Sequence, residues 1–133
     1  MRYLLDTHTF LWAYGQSNRL PKLVKAVVED TSVEVYVSAV TFWEISIKLR
    51  AKRLEVGGKT ATELIDEAKN IGFLIAHLGA EEAASQQDLA EDTHFDPFDR
   101  MLIWQAIQRN MTLVSRDPEF ENFKADGLKL LWR

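Results

Sequence analysis

The chain has 133 residues, 47% hydrophobic and 27% charged, with a formal net charge of -4. This is the balance of an ordinary globular protein, long enough to bury a core without staples and read here as one domain over residues 1–133. There is no cysteine, which excludes disulfides, thiolate nucleophiles and zinc–thiolate sites and leaves oxygen or imidazole to hold any metal. The acidic balance argues against coating nucleic acid by overall charge; with no signal-peptide-like or membrane-length apolar run in the sequence, the cytoplasm is the expected location.

In chain order, residues 3–5 form a short apolar strand that stops at Asp6, and Pro21 opens a helix running through Val28. Residues 33–37 form the next strand, followed by a helix that carries Val40, Trp43, Glu44 and Ile47 and ends in the basic run Lys48, Arg50, Lys52 and Arg53. Gly57 and Gly58, followed by Lys59, mark a loop inside the domain. Thr60 or Thr62 caps a helix ending at Gly72. Residues 73–75 are a strand, Pro97 opens a helix ending at Asn110, and residues 113–114 and 128–131 supply the last strands. Short apolar runs alternating with helical segments predict an α/β fold of three layers, with a mainly parallel sheet flanked by helices.

In such a sheet the ligand crevice lies beyond the carboxyl ends of the strands. Asp6 and Asp117 fall there, although each also suits a helix N-cap. Asp99 is more telling. Leu102, Ile103, Ala106 and Ile107 form the apolar stripe of its helix, Asp99 projects into the middle of that stripe, and Gln105, Gln108 and Arg109 are expected to point away. Asp96 is the natural cap of this helix. Glu44 borders an apolar stripe, and its plain alternative is a surface pair with Lys48 worth about 0.2–0.5 kcal/mol.

Four acids at one sheet edge repel one another unless a cation sits between them. All-oxygen donors favour a hard ion, Mg²⁺ or Mn²⁺, and such a site suits metal-assisted phosphodiester hydrolysis.

Five fragments in this order, Leu4-Leu5-Asp6-Thr7-His8, Val37-Ser38-Ala39 leading to Trp43-Glu44-Ile45, Asp96-Pro97-Phe98-Asp99-Arg100, Leu113-Val114-Ser115-Arg116-Asp117 and Leu131-Trp132, span essentially the whole chain. In them the sequence resembles PIN-domain proteins of the VapC toxin type, the ribonuclease half of a bacterial or archaeal toxin–antitoxin pair. The resemblance implies an endoribonuclease with the quartet Asp6, Glu44, Asp99 and Asp117, in which Asp6 and Asp99 are the direct metal ligands and Glu44 and Asp117 complete the pocket. It also implies RNA as substrate, a cognate antitoxin and a homodimer. Thr7 and Ser115 stand beside two of the acids, where hydroxyls can orient carboxylates or water; at Ser115 the family more often has Thr.

His8 and His94 lie near acids, but metal chemistry requires neither. The basic run from Lys48 to Arg53 is either a solvated face or a track for an RNA backbone. Trp12, Trp43 and Trp104 are expected in the core. The helix around Trp43 is apolar on two sides, Phe42, Ile45 and Leu49 opposite Val40, Trp43 and Ile47, so one face can pack on the sheet while the other meets a second subunit or the antitoxin. Two other functions compete: a non-catalytic RNA- or protein-binding module on the nuclease fold, and a metal-dependent phosphatase of the haloacid-dehalogenase type, whose motif needs a second Asp where this chain has His8.

Overall fold

The computed structural model describes residues 1–133. In chain order it contains β1 (Arg2–Leu5), α1 (Thr7–Gly15), a 3₁₀ turn (Ser17–Arg19), α2 (Lys22–Glu29), β2 (Glu34–Ser38), α3 (Ala39–Arg50) and α4 (Ala61–Ile71). Then follow β3 (Leu74–Ala76), α5 (Ala80–Ser85), a 3₁₀ turn (Gln86–Asp88), α6 (Pro97–Gln108), β4 (Thr112–Val114), a 3₁₀ segment (Pro118–Asp126) and β5 (Lys129–Leu131). The strands form one sheet in the order β3-β2-β1-β4-β5, and every pairing is parallel. The expected three-layer α/β architecture is therefore the observed one.

Strands covered on both faces need near-continuous apolar sequence, because successive side chains point to opposite sides. Leu4 and Leu5, both fully buried, show this directly. Leu5 joins Phe10, Val37, Ile45 and Leu64 beneath α1 to α4. Leu4 joins Leu102, Ile103, Leu113 and Phe123 beneath α6 and the last 3₁₀ segment.

Leu5 is level with Val37 of β2 on one side and with Val114 of β4 on the other. Strands are added outward from β1 to β2 and β3, and the chain then crosses back to place β4 and β5 on the other side. Such a reversal leaves a crevice beyond the strand ends, here at Asp6, Ser38 and Ser115. Helix caps fix the elements around it. Thr60 and Glu63 make a reciprocal capping box at the start of α4, which Gly72 ends in the left-handed conformation at φ 109°.

Several expectations need correction. β2 and β3 each sit one residue later than expected, since the ladder extends to the Ser38–Ala76 pair. α6 stops at Gln108 rather than Asn110, which has left-handed φ 54° and turns the chain into β4. α5 was not foreseen; it has six residues and none is buried, so it carries no apolar stripe to read. Trp12 and Trp104 are buried as expected, but Trp43 is 58% exposed. It lies on the outer side of α3 with Ile47, while Phe42, Ile45 and also Val40 pack inward. Gln105 does not point away: it is fully buried, accepting a hydrogen bond from Ser38 Oγ at 2.6 Å and donating one to Glu82 Oε1 at 3.0 Å. A polar side chain can occupy the stripe because both ends of its amide are paired. No helix is long and apolar enough to cross a membrane.

Candidate metal centre

Asp6 is both a cap and a crevice residue. Its Oδ1 accepts the backbone N–H of Thr9 at 2.8 Å, starting α1, while its own N–H donates to Val114 O of the neighbouring strand. The side chain is almost completely buried. Burial pushes its carboxyl above the ordinary carboxylate range, against the opposing hydrogen bonds from Ser115 and Thr9.

Glu44 reaches the same place from α3, whose start is fixed by Ser38 Oγ accepting the N–H of Val40. The pairing with Lys48 exists at 2.6 Å, but Glu44 is only 6% exposed, so the plain alternative of a solvated surface pair does not describe it. Its other oxygen accepts a hydrogen bond from Thr7 Oγ1 at 2.7 Å, and Thr7 in turn contacts Thr41 Oγ1 at 3.1 Å. Thr7 thus orients a carboxylate, as anticipated, though the carboxylate is that of Glu44 rather than of its neighbour Asp6.

Asp96 caps α6 by accepting the N–H of Asp99 at 2.9 Å, which leaves the Asp99 carboxylate to point elsewhere. Its Oδ2 lies 2.9 Å from His94 Nε2, and His94 Nδ1 lies 2.7 Å from Glu119 Oε2. Burial pushes Asp99 up to about 6, with the nearby charges of Asp96 and Glu44 adding to the rise and His94 opposing it. His94 packs its ring edge-on against Phe120 and Phe123. Burial disfavours its protonated form, yet the hydrogen bonds to Asp99 and Glu119 outweigh that and hold its pKa above the usual value.

Asp117 caps the last 3₁₀ segment, accepting the N–H of Glu119 at 2.9 Å, and Ser115 Oγ accepts the N–H of Asp117 at 3.1 Å. Asp6, Glu44, Asp99 and Asp117 all line one cavity of about 1100 Å³, together with Asp96. Ligand atoms of His94, Asp117 and Glu119 fall within 4.8 Å of one another and are able to coordinate a divalent metal; of these three residues Asp117 alone lines that cavity. Sequence reasoning missed Glu119 and set His94 aside. Neither lies on a periodic face; the available signals were that His94 sits just ahead of the cap Asp96 and Glu119 just after Asp117. Of the basic run, Lys48 and Arg53 line the cavity, as does Arg116, whose guanidinium lies 5.1 Å from the centre of the Trp12 ring.

A parallel sheet whose strand order reverses at a carboxylate-lined crevice defines an α/β protein of the kind that places its ligand site beyond its strand ends. The PIN domain family profile matches residues 3–126, and the chain belongs to that family. Among solved structures it resembles VapBC2 from Rickettsia felis bound to a DNA fragment from its promoter, with TM-score 0.71, 17% identity and 100% of both chains covered. It resembles VapBC-1 from nontypeable Haemophilus influenzae with TM-score 0.66 and 14% identity over 98% of this chain and 97% of that one. FitAcB from Neisseria gonorrhoeae gives TM-score 0.58 and 20% identity, covering 97% and 96%. Comparison with curated protein sequences gives no match. The chain thus joins a PIN fold to a His–Asp–Glu cluster consistent with the active site of a metal-dependent nuclease.

Proposed function

We propose that this chain, a single PIN-like unit over residues 1–133, is a Mg²⁺- or Mn²⁺-dependent endoribonuclease, with Asp6, Glu44, Asp99 and Asp117 as its catalytic carboxylates. The observation that carries this reading is the convergence of four acids from four separate segments on one cavity, two of them pushed up by burial. That donor set fits a hard divalent ion, which oxygen ligands select and which removes the repulsion among them. When bound, such an ion supplies a more acidic water and a counter-charge for the phosphate.

The chain's own side chains prepare the site. Thr7 and Lys48 fix both oxygens of Glu44, His94 fixes one oxygen of Asp99, and Thr9 fixes one of Asp6. Carboxylates held in this way need little reorganisation to take up a metal.

Within this reading the chain is the toxin of a toxin–antitoxin pair. The shared fold with the VapBC and FitAcB chains supports a cognate antitoxin, and the exposed Trp43 and Ile47 on α3 support a further contact, with that partner or in a homodimer. The test is cleavage of total cellular RNA with and without Mg²⁺, and with Asp99→Asn. Metal-dependent new ends that vanish in the variant are expected; RNA bound but never shortened, with no response to chelator, would overturn the proposal in favour of a non-catalytic module.

A further inference from the structure

The cavity does not end at the carboxylates. It continues along α1, where Leu11, Tyr14 and Gly15 line it, and the segment after α3 that contains Arg53, Leu54 and Gly57 lines it as well. Thr7, Leu11 and Tyr14 lie on one face of α1, so this wall extends for about 10 Å from the acids at roughly 1.5 Å per residue. Leu11, Tyr14 and Leu54 are each half-buried, presenting one side to the cavity. At Gly15 and Gly57 no side chain intrudes, and a Cβ at either place would meet nothing within 4 Å. Lys48 and Arg53 stand where the arm joins the acidic end.

We propose that this arm is the subsite for one unstacked nucleotide of single-stranded RNA next to the scissile phosphate, its base against Tyr14 and Leu54 and its phosphate on Arg53. The proposal rests on the ribonuclease reading above and names where its substrate is read. The chemistry matches on both counts. Base faces stack on flat, partly apolar side chains with little regard to sequence, and a cation beside such a platform tracks the backbone. A base reaches these walls only when splayed out of a helix, which is how single-stranded RNA is generally recognised. Continuity with the acidic end also matters, because whatever occupies the arm is covalently next to the group being cut.

The experiment uses full-length protein and a short fluorescent single-stranded RNA containing one mapped cleavage site, with intact or abasic nucleotides at the flanking positions. Tyr14→Ala is expected to raise KM about five- to a hundredfold with kcat little changed. The abasic substrate should impose a similar penalty on the wild type but little further penalty on Tyr14→Ala. Tyr14→Phe, which keeps the ring face, should recover most of the loss in KM, and an unchanged kcat and melting temperature in Tyr14→Ala separate loss of the platform from a disturbed fold. For binding to an Asp99→Asn background, Arg53→Ala should reduce the slope of log K against log salt by about 0.7, one phosphate contact on a single strand. A wild type that cleaves normally while both substitutions leave KM, flanking preference and salt slope unchanged overturns the subsite alone. So does an outcome in which they weaken only inhibition by a partner protein. No metal-dependent cleavage by the wild type overturns the ribonuclease reading itself.

Discussion

His94 Nε2 lies 2.9 Å from Asp99 Oδ2, while the other nitrogen of the same ring lies 2.7 Å from Glu119 Oε2. One imidazole therefore ties the first turn of α6 to the segment that follows β4, two parts of the chain that also share a hydrophobic core. The ring is wedged against Phe120 and Phe123, so its orientation is set by packing as well as by charge.

His94→Ala should lower Mn²⁺ affinity roughly 10- to 100-fold, the usual cost of losing a partner that orients a metal-binding group. His94→Asn or Gln, which retains a donor, should recover part of it. Calorimetric titration with Mn²⁺ reads the effect directly; unchanged affinity in the alanine variant would show that the bridge is passive.

Asp99 sets a pH dependence whose sign follows from its raised pKa. The folded state holds the proton up to about 6, against an ordinary 3.8, so the native protein binds more protons through that interval and stability falls as pH rises through it. His94, also raised, contributes stability at low pH that is lost as pH climbs through its folded value. In chelator, the stability of the wild type relative to Asp99→Asn, read by thermal melting, should therefore decrease from about pH 4 to above pH 6. Asp99→Asn should melt no lower than wild type near pH 7.5. A wild type that gains stability relative to Asp99→Asn across this interval contradicts the assignment of Asp99 as a strained carboxylate.

Divalent ions should reverse that strain. At a hundredfold excess over its dissociation constant, Mg²⁺ or Mn²⁺ stabilises a single site by about 2.7 kcal/mol, a shift of several degrees for a chain of this size. Asp6→Asn and Asp99→Asn should each abolish most of the shift. Ca²⁺ and K⁺ serve as comparison ions, and an equal response to all of them would indicate general charge screening rather than a built site.

The fold was legible because its strands are buried on both faces: an apolar run such as Leu4-Leu5, stopping at Asp6, identifies both a strand and the sheet edge beyond it. The inward direction of Asp99 was legible from helical period alone. Periodicity could not reveal whether a polar residue on a stripe is paired, so Gln105 was placed on the outer face although Ser38 and Glu82 satisfy it inside. Nor could it decide which of two apolar faces of α3 is covered, which is why Trp43 was expected in the core. His94 and Glu119 lie outside any α-helix or strand, and their meeting depends wholly on tertiary structure.

Gln105 also links the two helices that carry Glu44 and Asp99. Its amide joins Ser38, the cap of α3, to Glu82 of α5, which in turn holds Arg109 through two hydrogen bonds of 2.8 and 2.9 Å. Gln105→Leu keeps the volume but leaves buried polar partners unmatched, so a loss of about 1–3 kcal/mol is expected. Gln105→Glu should be worse, since it sets a second carboxylate beside Glu82. Chemical denaturation measures both; a stable leucine variant would mean that the network is dispensable.

The outer face of α3 offers a different kind of test. Trp43 and Ile47 are 58% and 45% exposed, and the Trp43 ring meets Phe98 edge-on at 4.9 Å. Truncating side chains that already have about half or more of their surface in water should change stability little, whereas a tryptophan at the centre of a protein contact commonly contributes more than 2 kcal/mol of binding. Trp43→Ser and Ile47→Ser should therefore retain the melting temperature and Mn²⁺ affinity of the wild type. They should weaken self-association, or association with a co-expressed antitoxin, by thirtyfold or more at about 2 kcal/mol. Light scattering coupled to size exclusion reads the first and co-purification the second. If both assemblies survive unchanged, the contact surface lies on another face of the domain.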